Sequence, residues 1–202
     1  MRRATSKGIE MIKSLEGYSS HAYKCSDNES FYTIGYGHYG IKNPNTVIDE
    51  ATANTLLEED LVECYTHLER YDKIYKFTDY EYDAMVSFCF NLGSITQLTN
   101  DGQRSKWEVA NSMLKYVTDG VQTLEGLVRR REIEHNLFVN GVYPNDTPFE
   151  NVNADVKTID ENTTCGELVD MILNGDMGNG DMRKEKLYDI IQSMVNHRLG
   201  VE

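Results

Sequence analysis

The sequence predicts an α+β fold that is mostly helical, with one small β-hairpin or sheet, followed by a small three-helix module. Apolar residues recur at helical spacing in several stretches, whereas residues 31–34 combine strand-forming side chains with flanking polar and glycine positions. Residues 143–158 contain two prolines among polar side chains, a composition typical of a linker. We therefore predict a main domain over residues 1–142, a linker over residues 143–158 and the helical module over residues 159–202.

The composition is that of a soluble globular protein and argues against a nucleic-acid partner. The chain has 202 residues and a formal net charge of −13, whereas a phosphate-binding protein needs a clustered basic face. No window approaches the roughly 20 apolar residues that span a bilayer, and residues 1–16 lack the apolar core of a signal peptide. We expect a protein without a signal peptide that folds in the cytosol, with its four widely separated cysteines as free thiols.

The first predicted helix leads directly into the predicted strand. Ser6 can cap this helix, apolar residues at helical spacing continue to Leu15, and Gly17 is a stop signal. A polar run, residues 26–30, then precedes the strand over residues 31–34, and glycines follow it. The pattern predicts a helix end that faces a short hairpin.

Four further helices are predicted in the main domain, near residues 50–68, 78–90, 106–116 and 124–138. Asp49 can cap the first of them. Thr78 and Glu81 have the spacing of a capping box for the second, which is the most apolar helix and is expected at the centre of the core. The acidic side chains of the helix near residues 50–68, Asp60 and Glu63 among them, are interpreted as a face exposed to solvent.

The helix end and the hairpin together carry side chains suited to glycosidic bond cleavage. That reaction needs a proton donor for the leaving oxygen and a nucleophile or activated water on the other face of the sugar. Glu16 is the candidate proton donor, and Thr33 can orient a water molecule. Either Cys25 or Asp27 could stand opposite Glu16. Taken singly, each of these residues also has a purely structural interpretation, as a solvated charge, a strand former or a small buried side chain.

The motifs around these residues resemble those of phage-type lysozymes, the family of the T-even phage lysozyme and the lambdoid phage endolysins. The segments that carry the resemblance are residues 15–17, 22–25, 33–38, 77–78, 83–93 and 126–134. The first three read Leu-Glu-Gly, Ala-Tyr-Lys-Cys and Thr-Ile-Gly-Tyr-Gly-His. The resemblance implies the phage-lysozyme fold, with its hairpin or sheet beside the active-site cleft. It also implies muramidase activity, which hydrolyses the bond between N-acetylmuramic acid and N-acetylglucosamine in peptidoglycan.

The resemblance also assigns roles to individual residues. The family pattern is Glu, eight residues, Asp or Cys, five residues, Thr. It implies Glu16 as the general acid, Cys25 as the second catalytic residue that positions or activates the attacking water, and Thr33 as a residue that helps to hold this water in an inverting reaction. Seven residues rather than five separate Cys25 from Thr33, which enlarges the hairpin turn. Asp27 is the alternative because it lies at the family spacing from Thr33.

Two further residues are expected to support the site. His38 is interpreted as a structural hydrogen-bonding residue at the end of the hairpin rather than as a base. By the family spacing, Arg130 is expected to turn inward and pair with Glu16. The alternative is that Arg129, Arg130 and Arg131 are all surface cations. No metal or cofactor is indicated, because the five histidines show no ligand spacing.

The C-terminal module shows a second resemblance. Residues 168–180 and Arg183 resemble the small cell-wall-binding repeat of some pneumococcal phage lysozymes, which recognises the muropeptide. The resemblance implies Gly178, Asn179, Gly180 and Arg183 as wall-binding residues. The alternative is a helical cap without a ligand.

Together these patterns predict a phage endolysin, a peptidoglycan muramidase with a wall-binding tail. By the resemblance we expect a monomer that stays in the host cytoplasm until lysis and depends on a holin, a separate membrane-permeabilising protein, for release. Two alternatives stay open. One is a peptidoglycan amidase or peptidase that uses Cys25 with His38, and the other is a non-catalytic wall-binding protein on a lysozyme scaffold.

Overall fold

The computed structural model describes residues 1–24, 26, 28–144 and 146. The chain divides into two compact units, residues 1–97 and a second unit that begins at Leu98. Cys25, Asp27 and the predicted module over residues 159–202 lie outside the described residues, so the domain boundaries stay a prediction. Over the described ranges, no helix is both long enough and apolar enough to cross a membrane.

The first unit combines helices with a small antiparallel sheet, which confirms the predicted α+β class. Its elements are α1 (Ser6–Glu16), β1 (Ser19–Tyr23), β2 (Tyr32–Gly35), β3 (His38–Ile41), α2 (Glu50–Tyr75) and α3 (Asp79–Leu92). The strand order is β1-β2-β3, and both neighbouring pairs are antiparallel. The strand predicted over residues 31–34 is therefore the central strand of the sheet, shifted by one residue.

Helix α2 begins as predicted and continues beyond its predicted end. The Asp49 side chain accepts a hydrogen bond of 2.8 Å from the Thr52 N–H, which caps the helix. Tyr71 is buried together with the leucines at positions 57, 61 and 68 of this helix. Because Tyr71 prolongs the buried face beyond residue 68, α2 continues to Tyr75.

Helix α3 confirms both the predicted capping box and the predicted central position. Glu81 Oε2 accepts a hydrogen bond of 2.7 Å from the Thr78 N–H, and Thr78 Oγ1 accepts one of 3.3 Å from the Glu81 N–H. Every residue from 81 to 89 is buried. Gly93, with φ of 78°, ends the helix.

The start of α1 differs from the prediction in its cap. Thr5, not Ser6, is the N-cap residue, and its Oγ1 accepts a hydrogen bond of 3.1 Å from the Gly8 N–H. Asp83, which is fully buried in α3, accepts a hydrogen bond of 2.9 Å from the Thr5 N–H and a second one from the Thr5 hydroxyl. Thr5 is the cap because this buried carboxylate fixes its backbone and side chain.

We expect Gly8→Ala to destabilise the protein by about 1–3 kcal/mol, because the added methyl group overpacks the α1–α3 contact. A β-carbon on Gly8 would lie 2.8 Å from Asp83 Cβ and closer still to its carboxyl group. Urea unfolding followed by far-UV circular dichroism measures the loss. Gly126→Ala in the second unit is the matched control, since a β-carbon there meets no atom within 4 Å. Equal unfolding midpoints for the two variants would contradict the prediction.

The described part of the second unit is helical. A short helix, α4 (Thr96–Thr99), lies where the first unit ends, and it is followed by α5 (Lys106–Met113) and α6 (Glu125–Asn140). Helix α5 ends before the predicted residue 116, and residues 117–124 form a turn closed by a 2.9 Å hydrogen bond from the Leu124 N–H to the Val117 carbonyl. Helix α6 continues to Asn140, and Gly141 is its C-cap residue.

Candidate active site

Glu16 is the last residue of α1, and its carboxylate lies beside the turn between β2 and β3. Gly17, with φ of 73°, ends the helix and donates its N–H to the Lys13 carbonyl at 3.0 Å. Gly37, in the β2–β3 turn, has φ of 95°, and a β-carbon built on it would lie 3.7 Å from Glu16 Oε2. The two glycines therefore stop the helix at Glu16 and keep the turn close to its carboxylate.

A pocket of about 400 Å³ opens next to this carboxylate, and we call it the Glu16 pocket. Its lining residues are Glu16, Gly37, Tyr39, Asp60, Glu63, Cys64, Cys89, Phe90, Asn91 and Gly93. They come from the end of α1, the β2–β3 hairpin, the middle of α2 and the end of α3. The volume is in the range of small-molecule sites, and three of the lining side chains are carboxylates.

His38 and Asp60 connect the hairpin to α2 at the edge of this pocket. His38 Nδ1 lies 3.0 Å from both carboxylate oxygens of Asp60. Because a carboxylate only accepts, the Nδ1–H is the donor. The interpretation of Asp60 as part of a solvated face is therefore wrong, since Asp60 is half-buried against the hairpin and lines the pocket.

Thr33 lies on the central strand and is 7% exposed. Its cross-strand partners are Tyr23 on β1 and Tyr39 on β3. Directly paired residues project from the same face of a sheet, so Thr33 shares a face with Tyr39, which lines the Glu16 pocket. Thr33 itself is not among the residues that line this pocket, so its role beside Glu16 stays a prediction.

Residues 24–31 connect β1 to β2 and include the positions of Cys25 and Asp27. Among the described residues of this connection, Lys24 Nζ donates a hydrogen bond of 2.6 Å to the Glu29 carbonyl. The Glu29 N–H donates one of 3.1 Å to the Ser26 carbonyl. The two hydrogen bonds join described residues of the connection that is two residues longer than the family spacing. The choice between Cys25 and Asp27 stays open.

A polar network that sequence reasoning missed lies between α1, the hairpin and the start of α2. The Tyr36 hydroxyl donates a hydrogen bond of 2.8 Å to Glu50 Oε1, and Lys13 Nζ lies 3.9 Å from the same oxygen. Burial, together with the hydrogen bond to Glu50, raises the pKa of Tyr36, so this hydroxyl keeps its proton. The network fixes the hairpin turn against the helix that ends at Glu16.

Two thiols line the Glu16 pocket where α2 and α3 meet. Cys64 of α2 and Cys89 of α3 are both free and buried, which confirms the predicted free thiols at these two positions. The pKa of the Cys89 thiol is raised, mainly by a hydrogen bond with Cys64 and to a smaller extent by burial. Cys89 is therefore a protonated packing residue and not a nucleophile.

In the second unit, two of the three consecutive arginines turn inward. Arg130 and Arg131 are buried on α6, whereas Arg129 is exposed. Glu134, also buried, lies 3.1 Å from Arg130 Nε and 2.8 Å from Arg131 Nη1. The alternative that all three are surface cations is therefore wrong. The pairing of Arg130 with Glu16 stays a prediction.

The wall-binding residues predicted in the tail, Gly178, Asn179, Gly180 and Arg183, lie outside the described residues. Sequence reasoning also missed Tyr39 and Asn91 as lining residues of the Glu16 pocket. Asn91 lies inside one of the motifs that carry the resemblance, and Tyr39 directly follows another. Their adjacency to those motifs was the available signal.

Comparison with known proteins places this arrangement in a family. The family model for phage lysozyme matches residues 13–134. The chain is 40% identical to the endolysin of Bacillus phage B103 over 142 residues, which cover 66% of this chain and 53% of that protein. It is 35% identical to the endolysin of Lactococcus phage c2 over 156 residues, which cover 77% of this chain and 68% of that protein. The match thus spans about half the length of the first relative.

Solved structures are similar as well. The endolysin from Escherichia coli O157:H7 phage FAHEc1 is 26% identical with a TM-score of 0.58, over 71% of this chain and 97% of that one. The muramidase domain of SpmX from Asticaccaulis excentricus is 28% identical with a TM-score of 0.57, over 68% of this chain and 98% of that one. With a family match over more than half of its length, the chain belongs to the phage lysozyme family.

Proposed function

We propose that this protein is a phage endolysin that hydrolyses the bond between N-acetylmuramic acid and N-acetylglucosamine in peptidoglycan. The observation that carries the proposal is the Glu16 carboxylate at the end of α1, beside the glycine turn of the hairpin and within a pocket of sugar-binding size. The relatives named above are endolysins, which supports the same substrate. Neither the amidase or peptidase alternative nor the non-catalytic alternative is favoured by these relatives.

In the proposed reaction Glu16 protonates the glycosidic oxygen as the bond breaks, and a water molecule attacks the sugar from the opposite face. Thr33 accepts or donates a hydrogen bond to hold this water. Cys25, or alternatively Asp27, holds it from the other side. A free thiol is mostly protonated near neutral pH, so Cys25 would position the water, whereas Asp27 could also accept its proton.

We also propose a role for residues 159–202, which lie outside the described residues. Residues 159–202 would bind the cell wall through Gly178, Asn179, Gly180 and Arg183. Tethering of the muramidase to the wall would then raise its local concentration at the glycan. We further propose that the enzyme acts as a monomer, remains in the host cytoplasm and reaches the wall when a holin permeabilises the membrane.

Mass analysis of digested sacculi tests the reaction and the choice of second residue together. The wild-type protein is expected to release muropeptides that end in a reducing N-acetylmuramic acid. Of two variants, Cys25→Ala is expected to slow this release by about ten- to a hundredfold through misplacement of the water. Asp27→Ala is expected to stay within about threefold of wild type, because its position does not match the family interval from Glu16.

Other product patterns would lead to other conclusions. New amino groups without reducing sugar ends would contradict the muramidase and support the amidase or peptidase. Products one water lighter would contradict hydrolysis. A large loss for Asp27→Ala alone would reverse the assignment of the second residue and leave the reaction intact.

A further inference from the structure

The sheet exposes an aromatic pair directly beside the Glu16 pocket. Tyr39 of β3 is 51% exposed, and Phe31, which directly precedes β2, is 36% exposed. Both side chains carry large rings of the kind that is usually buried. Leaving large aromatic rings in contact with water costs free energy, because their burial is favourable. Exposed aromatic clusters at the edge of a pocket are therefore typical of binding surfaces.

The two rings hold each other in a defined orientation. Their centroids are 5.9 Å apart and their planes meet at 83°, an edge-to-face contact. Such contacts are favourable because the positive edge of one ring meets the negative face of the other. Tyr39 is therefore fixed in place before any ligand arrives, which lowers the entropy lost on binding.

Tyr39 also belongs to the pocket itself. It lines the Glu16 pocket together with Gly37, on which a built β-carbon would lie 3.7 Å from Glu16 Oε2. Only one residue separates Tyr39 from Gly37 along the hairpin. A ligand that occupies the pocket and continues along the hairpin must pass over this ring.

We propose that Tyr39, oriented by Phe31, is a stacking platform for one pyranose ring of the glycan strand, next to the ring whose bond is cleaved at Glu16. This inference rests on the proposed function and adds a specificity-determining residue to it. The C–H groups on one face of a pyranose complement the negative face of an aromatic ring. The hydroxyl and amide groups of the sugar can donate hydrogen bonds, and the carboxylates of Asp60 and Glu63, which line the pocket, can accept them.

The charge of the pocket favours this occupant over an anionic one. Asp60 and Glu63 line it, and their carboxylates repel phosphate or carboxylate groups placed at the ring. The occupant at Tyr39 is therefore the uncharged N-acetylglucosamine ring of the glycan rather than N-acetylmuramic acid, which carries a carboxylate when no peptide is attached.

Binding measured in a catalytically silent background tests the platform directly. The Glu16→Gln protein, titrated with peptide-free glycan chains of alternating N-acetylglucosamine and N-acetylmuramic acid, gives the reference Kd. Addition of Tyr39→Ala is expected to raise this Kd by about five- to twentyfold, because the stacked ring is lost. Addition of Tyr39→Phe is expected to change it by less than about twofold, since the aromatic face remains.

Tyr80→Ala is the matched control, because Tyr80 is similarly exposed but lies in the first turn of α3, whereas the pocket residues of that helix lie at its other end. An unchanged Kd for Tyr39→Ala, an equal effect of Tyr80→Ala, or no glycan binding at all would overturn the platform. Failure of the proposed function is recognised separately, as the absence of reducing ends when wild-type protein digests sacculi.

Discussion

Glu16→Gln is expected to slow the release of muropeptides from sacculi by at least about a hundredfold, the lower end of what a general acid contributes. The amide is nearly isosteric with the carboxyl but cannot donate a proton to the leaving oxygen. Glu16 is half-buried at the end of α1 and lines the pocket, so the substitution removes the acid and keeps the shape of the site. The measurement is the initial rate of reducing-end formation.

Glu10→Gln is the matched control for this prediction. Glu10 lies on the same helix, is exposed, and contacts Lys13 at 2.9 Å on the surface. The same chemical change there removes a surface ion pair of small energy and is expected to leave the rate within about twofold. Full activity in Glu16→Gln, or equal losses in both variants, would show that the proton donor is another group.

Local signals predicted the elements that position Glu16. Gly17 ends α1 and Thr78 caps α3 through interactions within a few residues of themselves, so sequence spacing was sufficient. Sequence spacing favours Ser6 instead of Thr5 as the cap of α1, because the deciding partner, Asp83, is 78 residues away from Thr5. A local pattern cannot distinguish two adjacent hydroxyl residues when a distant carboxylate selects one of them.

The walls of the pocket could not be predicted for the same reason. Asp60 is one of several acids on α2, and its contact with His38 depends on how the hairpin packs against that helix. Tyr39 lies in a strand of four residues, and its exposure follows from the register of the sheet. The resemblance supplied the residues that we propose for the chemistry, whereas the residues that shape the pocket required the three-dimensional structure.

Glu134→Ala is expected to lower the free energy of unfolding by about 3–5 kcal/mol, the cost of breaking a buried ion pair. The Glu134 and Arg131 side chains are fully buried, and Arg130 is nearly so. One carboxylate is shared between two guanidinium groups, and its removal leaves two positive charges close together in a medium of low dielectric constant. Urea unfolding followed by the fluorescence of Trp107, the only tryptophan and a residue of α5, measures the loss.

Two further variants separate the charge of Glu134 from its packing. Glu132→Ala changes an exposed residue of the same helix and is expected to stay within about 0.5 kcal/mol of wild type. Glu134→Gln keeps the volume of the side chain but not its charge, so a loss close to that of Glu134→Ala identifies charge compensation as the cause. Wild-type stability in Glu134→Gln would contradict this explanation, because packing alone would then be sufficient to keep the two arginines buried.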